Sequence, residues 1–206
     1  MNALKRTLPA LALAACAALL AGCITLLPNE KPAQLYRFDG DIQAPAAAGP
    51  APPFAVARLG GSFVQAAAND RMLTITGSRA AYVADSRWVS PAAVLFNEAL
   101  SRAFDTDAGP ARLLTRGDFS KADYVLRVDV TQFEAQYNQG SRAAPEIVVS
   151  LRATLAGSDR LLAGSKQFET RVRARDNRVS AIVEAYDEAV SQALGELVAW
   201  TNNRGA

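Results

Sequence analysis

Leu20-Ala21-Gly22-Cys23 places a thiol directly behind two small residues. A thiol is a nucleophile that can take a diacylglyceryl group, and small side chains before it admit a signal peptidase. This is the bacterial lipobox pattern, in which the lipidated cysteine becomes the first residue of the mature chain. The residues upstream agree with it: Lys5 and Arg6 form a basic start and Leu8 to Leu20 an apolar run, the order of a secretory signal peptide. Read instead as an uncleaved membrane helix, the stretch would run on to Leu27. It is alanine-rich, however, and Pro28 stops it near the minimum spanning length.

Other reactive side chains are scarce. The chain has no histidine, and its second cysteine, Cys16, lies inside the signal. Cys-His and Ser-His-Asp catalysis, histidine metal sites and zinc sites of the usual kinds are therefore excluded, as is any disulfide in the mature domain. Asp105-x-Asp107 has the start of a calcium loop, but Arg116 stands where that loop needs a bidentate glutamate. The pair reads as a helix-ending turn, followed by Gly109-Pro110. No phosphate-binding glycine motif or nucleophile elbow is present. The reading is of a non-enzyme with no cofactor.

Two further features could serve recognition. Arg171, Arg173 and Arg175 alternate along one segment, so as a strand they share one face, with Arg178 just beyond. They could dock an acidic partner or lipid headgroups. Equally they could form a solvated face, partly neutralised by Glu169 on the same side and by Asp129 nearby. Trp88 could touch a partner or pack a helix onto a sheet; Trp200 is ambiguous in the same way.

The elements that must carry these residues follow from periodicity. Residues 1–22 read as the cleaved signal and 23–34 as a lipidated N-terminus and tether; residues 35–206 form one domain, interrupted by a Pro/Ala-rich loop at 44–53. Removing residues 1–22 from a chain of 206 leaves 184, enough for one real core. The signal takes two basic residues and no acidic ones, so the mature chain keeps 20 of each sign. That balance does not suit nucleic acid. The eleven tether residues 24–34 would reach roughly 35 Å fully extended.

Strands are predicted around Leu35–Phe38, at Phe54–Leu59 before Gly60-Gly61, and at Arg71–Thr76 and Ala80–Ala84 around Gly77-Ser78. Ser90-Pro91 predicts a helix start with a hydroxyl cap. The apolar spacing of Leu95, Phe96, Ala99, Leu100, Ala103 and Phe104 makes that helix amphipathic. Period-two alternation then predicts three long strands, from Asp123, from Glu146 and from Leu161. A closing helix runs from about Val179 to Thr201 with an aliphatic stripe that reads as core rather than as a lipid cavity. The expected fold is α+β: an antiparallel sheet with two amphipathic helices packed on one face.

The run Arg71-Met72-Leu73, then Ala81-Tyr82-Val83-Ala84-Asp85-Ser86-Arg87-Trp88-Val89-Ser90-Pro91, resembles the ABC-type transport auxiliary lipoproteins. So does the order of lipobox, Leu35-Tyr36 strand, proline-rich loop, strands, helix, a meander containing Asp123-Tyr124-Val125-Leu126, and closing helix. Between Gly60 and Asn69 the chain departs, with Ala66-Ala67-Ala68 in place of a richer segment. The resemblance implies a non-catalytic accessory of an ABC transporter for lipids or hydrophobic compounds. Its implied partners are MCE-domain and ABC permease/ATPase subunits. Ile24 after Cys23, rather than aspartate, implies attachment by acyl chains to the outer membrane, facing the periplasm. The alternative is a structural or assembly lipoprotein that partners an outer-membrane barrel or secretion complex.

Overall fold

Three long strands carry the architecture: β7 (Tyr124–Gln136), β8 (Glu146–Gly157) and β9 (Leu162–Arg173). β7 and the second half of β9 alternate buried and more exposed residues, hiding one face and showing the other to water, whereas β8, between them, buries Ile147 to Leu151 on both faces. They pair antiparallel in order, Val128 opposite Ala153 and Leu151 opposite Phe168. A bulge between Val130 and Gln132 breaks the alternation of β7. It moves the buried set from Leu126, Val128 and Val130 to Phe133 and Ala135.

The computed structural model describes residues 32–42, 51–115, 117–118 and 120–204. The signal segment, Cys23, most of the tether and most of the Pro/Ala-rich loop lie outside them. The remaining strands are β1 (Gln34–Tyr36), β2 (Phe54–Leu59), β3 (Leu73–Thr76), β4 (Arg79–Tyr82), β5 (Ser86–Trp88) and β6 (Ala111–Leu113). Helix α1 spans Ala92–Thr106 and α2 spans Val179–Asn202. Ala33–Ala206 forms one compact unit.

The α+β class and the two helices agree with the expectation, but the sheet is mixed rather than antiparallel. β2 and β3 both run parallel to β7, along the edge that β8 leaves free, and Phe63 bridges Val130 between them. β6 runs parallel to β2, and α1 lies between the two in the chain. Alternation reports which face a residue occupies. It says nothing about strand direction, which the crossover through α1 sets. A separate parallel pair joins β1 to β5, with Tyr36 opposite Trp88.

Both helices lie on one face. α1 buries Leu95, Phe96, Ala99, Leu100, Ala103 and Phe104, the stripe that its spacing predicts. Its start differs: Pro91 stands at the N-cap and no side chain caps the helix. The first-turn N–H groups of Ala92 and Ala93 instead donate to the carbonyls of Asn69 and Ala68, at 2.9 and 3.3 Å. Backbone from the preceding loop replaces the serine hydroxyl. At the other end Asp107 Oδ2 accepts from Gly109 N (2.8 Å) and from Asn202 Nδ2 (2.7 Å), while Asn202 Oδ1 accepts from Ala111 N (3.0 Å). The Asp105-x-Asp107 turn thus clasps the ends of both helices to β6.

Candidate anchoring and docking surfaces

Cys23, the predicted lipidation site, lies outside the described residues. The chain that follows it enters the fold through β1 and then residues 37–42. Phe38 points into the core, where its ring meets Trp88 edge-on at 5.1 Å and Phe133 at 5.4 Å; Tyr186 completes the cluster, 5.2 Å from Trp88 and 5.0 Å from Phe133. Burial pushes the Tyr186 hydroxyl far above its ordinary range, with Glu134 and Tyr137 adding to the shift. Trp88 is 2% exposed. It therefore offers no surface to a partner, and of its two readings the packing one holds, because the indole fills the space between β5 and the helices.

Residues 39–41 form a strap across both helices. Asp187 of α2 accepts from the N–H groups of Asp39 (2.6 Å) and Gly40 (2.8 Å), and Ser191 Oγ donates to Asp41 O at 2.6 Å. From α1, Arg102 donates to Asp39 O at 2.6 Å and lies 3.6 Å from the Asp41 carboxylate. Gly40 has φ of +61°, and a Cβ there would come within 2.5 Å of Val190 Cγ1 and 3.2 Å of Ala99 Cβ. Only glycine fits that conformation and that gap together.

The face of the sheet away from the helices is polar. Arg171 and Arg173 project from it and share one acceptor, Glu146, at 3.3 and 3.2 Å. Arg171 also pairs with Glu169 at 2.8 Å, a bond that raises the pKa of its guanidinium, and Arg173 donates to Ala144 O at 3.0 Å and Asn138 Oδ1 at 3.2 Å. Beneath these side chains Val148 and Ser150 are buried. Arg175 lies beyond the strand and pairs with Glu184 of α2, and Arg178 pairs with Asp176 at 2.6 Å. The structure thus brings two of the predicted arginines together and sends the third to the helix. Asp129 does not reach them. It pairs with Arg127 at 2.9 Å and accepts from Ser62 N at 2.7 Å, contacts that hold its carboxyl well below the usual range. Each of the arginines has a carboxylate, so this face is a balanced lattice rather than a positive patch.

A third surface has no counterpart among the expected residues. Phe54, Val56 and Arg58 share the helix-side parity of β2, yet Arg58 reaches past the core to the flank of α1, where it hydrogen-bonds Asn97 Oδ1. Among the described residues Arg58 has no carboxylate within ion-pair distance. Solvent reaches it, but the protein around it desolvates the guanidinium enough to lower its pKa. On one side lies a crevice of about 80 Å³ lined by Phe63, Ala93, Phe96, Val128 and Val130; on the other an open groove of about 510 Å³ along Val94, Glu98 and Ser101. An arginine on the inward parity of an apolar strand was the available signal.

Among the described residues no three metal-ligating side chains gather, and no helix is long and apolar enough to cross a membrane.

Comparison with known proteins finds likeness in family and in fold. A crystal structure of a DUF330 protein from Xanthomonas campestris superposes with a TM-score of 0.70 at 23% identity, over 83% of this chain and 96% of that one. A second crystal structure, of an uncharacterized protein, superposes with a TM-score of 0.64 at 13% identity, over 83% and 99% of the two chains. At these identities the likeness is one of fold. Comparison with curated proteins finds no match. The family profile of the ABC-type transport auxiliary lipoprotein component matches residues 41–198, which begins at the last residue of the strap and spans all of the long strands and most of α2, and the chain belongs to that family.

Proposed function

We propose that this protein is a non-catalytic accessory subunit of an MCE-type ABC transport system, lipidated at Cys23 and held at the outer membrane facing the periplasm. The observation that carries this reading is the family match over residues 41–198, joined to the Leu20-Ala21-Gly22-Cys23 lipobox. Ile24 in place of aspartate supports the outer membrane. The cargo would be lipids or hydrophobic compounds, and the partners an MCE-domain protein with ABC permease and ATPase subunits.

The mechanism is positional. Each buried methylene of an acyl chain adds about 0.8 kcal/mol, so two or three chains hold the domain permanently at the bilayer. The strap then joins the tether to the core, so that the domain is presented by a firmly mounted N-terminus.

Two measurements test this. Cys23→Ser should leave the protein as unprocessed precursor or release it from the membrane, and a mature form without lipid mass would overturn the anchoring. Cross-linking in intact cells followed by purification should recover MCE-domain and permease subunits. Recovery of an outer-membrane barrel protein in their place would overturn the transport role.

A further inference from the structure

The parallel pair β1–β5 has two unlike faces. Tyr36, Ser86 and Trp88 turn towards the core, whereas Leu35, Arg37, Arg87 and Val89 turn outward. Leu35 stands opposite Arg87, and Val89 N donates to Tyr36 O at 2.7 Å, so the four outward side chains form one small patch. Its aliphatic members, Leu35 and Val89, are 62% and 53% exposed. Its arginines already hold carboxylates, Arg37 with Asp39 and Arg87 with Asp70. The patch is thus apolar with compensated charge at its margins.

We infer that this patch lies against the phospholipid surface to which the chain is anchored, an inference that rests on reading Cys23 as the lipidation site. Position carries the argument. Tether residues 24–34, roughly 35 Å when fully extended, run directly into β1, so the patch is the first folded surface behind the anchor. Two aliphatic side chains are too few to hold a free domain at a bilayer. A short tether raises their effective concentration there to the order of millimolar, at which a weak contact suffices. Paired arginines suit such an interface, because their apolar stems cover acyl carbon while their heads stay in the polar layer. The other exposed aliphatic pair, Leu161 and Leu162 at 70% and 67%, belongs to the far end of the domain. Residues 39–42 run along α2 from Asp187 through Ser191 to Gly195, which puts β1 towards the start of that helix. The β8–β9 hairpin lies at its finish, where Phe54, Asp159 and Arg204 line one pocket. The helix from Asp187 to Asn202 alone separates the two ends by about 22 Å. The patch, and not the hairpin, is therefore the apolar surface near the anchor.

The test uses the full lipidated chain, reconstituted in vesicles of phosphatidylethanolamine and phosphatidylglycerol that carry a spin-labelled phospholipid. Cys16 leaves with the signal and Cys23 is acylated, so an introduced cysteine is the one thiol left to label. A fluorophore on Leu35→Cys or Val89→Cys should be quenched at least twofold more than one on Leu161→Cys. Adding Leu35→Glu to the labelled Val89→Cys chain should roughly halve its quenching. Both positions are exposed, so these changes leave the fold intact, and the reciprocal pair, Val89→Glu with labelled Leu35→Cys, repeats the measurement. Labels at 35 and 89 quenched no more than the label at 161 would overturn the inference, as would quenching indifferent to the glutamates. Mass spectrometry of the same samples separates the two levels of the argument. Lipid mass on Cys23 without preferential quenching sinks the contact alone, whereas absence of lipid mass sinks the anchoring and the contact together.

Discussion

The two faces of the long sheet are built from the same three strands, yet they hold the molecule together by different means. On the helix side, rings and aliphatic chains interlock: Trp88, Phe38, Phe133 and Tyr186 meet at 5.0 to 5.4 Å, and α2 seals the layer with Ile182, Val190, Leu194 and Leu197. On the open side, arginines and carboxylates satisfy one another over a thin apolar floor of Val148. Apolar burial is worth far more per side chain than an exposed ion pair. The contrast teaches that stability resides on the helix face, leaving the open face free to vary.

Substitutions can break that contrast or sharpen it. The largest effect should come from Trp88→Ala, which empties the centre of the aromatic cluster and should cost about 3–5 kcal/mol in chemical denaturation. Gly40→Ala should follow at about 2–4 kcal/mol, since it combines a left-handed backbone with a collision against Val190. Asp187→Ala would leave two strap N–H groups without their acceptor and should cost about 1–3 kcal/mol.

On the open face the effects should shrink. Asp129 binds its proton less tightly folded than unfolded because of Arg127 and Ser62. Its contribution is therefore complete above the ordinary carboxyl range near pH ~4 and is lost as pH falls below it. Asp129→Asn should flatten that acid limb of the stability profile and lower stability above pH ~5 by a constant amount, with the slope there unchanged. Smallest of all, Arg171→Ala, Arg173→Ala and Arg175→Ala together should change stability by about 1 kcal/mol or less. A loss much beyond that would show that the open face carries stability after all. If stability holds while recovery of transporter partners falls, the lattice is a docking face; unchanged recovery would make it a solvated surface.

How much of this was legible in the residues depends on the range of the interaction. The helix stripes and the alternation of the long strands are local patterns, and they placed α2, β7 and β8 to within a residue or two. The direction of β2 and β3 along β7 is settled by a crossover through α1, which no window of the sequence contains. β5 and β6 are three residues each and too short to show a period. The bulge in β7 exchanges one alternating set for another within a single strand, so a strict period of two misplaces Phe133. Among the candidate contacts, the arginine triplet was visible, but its neutralisation by Glu146 and Glu184 required the hairpin and α2 to fold back on it. Arg58 was visible only as an anomaly, a charge on the buried parity of β2.

The strap also decides how the domain bears mechanical load. Any pull on the chain from its N-terminus reaches β1 and then Phe38, Asp39 and Gly40, where the chain is gripped by α1, α2 and the aromatic cluster at once. A terminal strand lying on the outside would peel away one hydrogen bond at a time under such tension. Here the force enters the middle of the core and is shared between both helices. The domain should therefore yield as a unit, at high force, rather than fray from the end by which it is held.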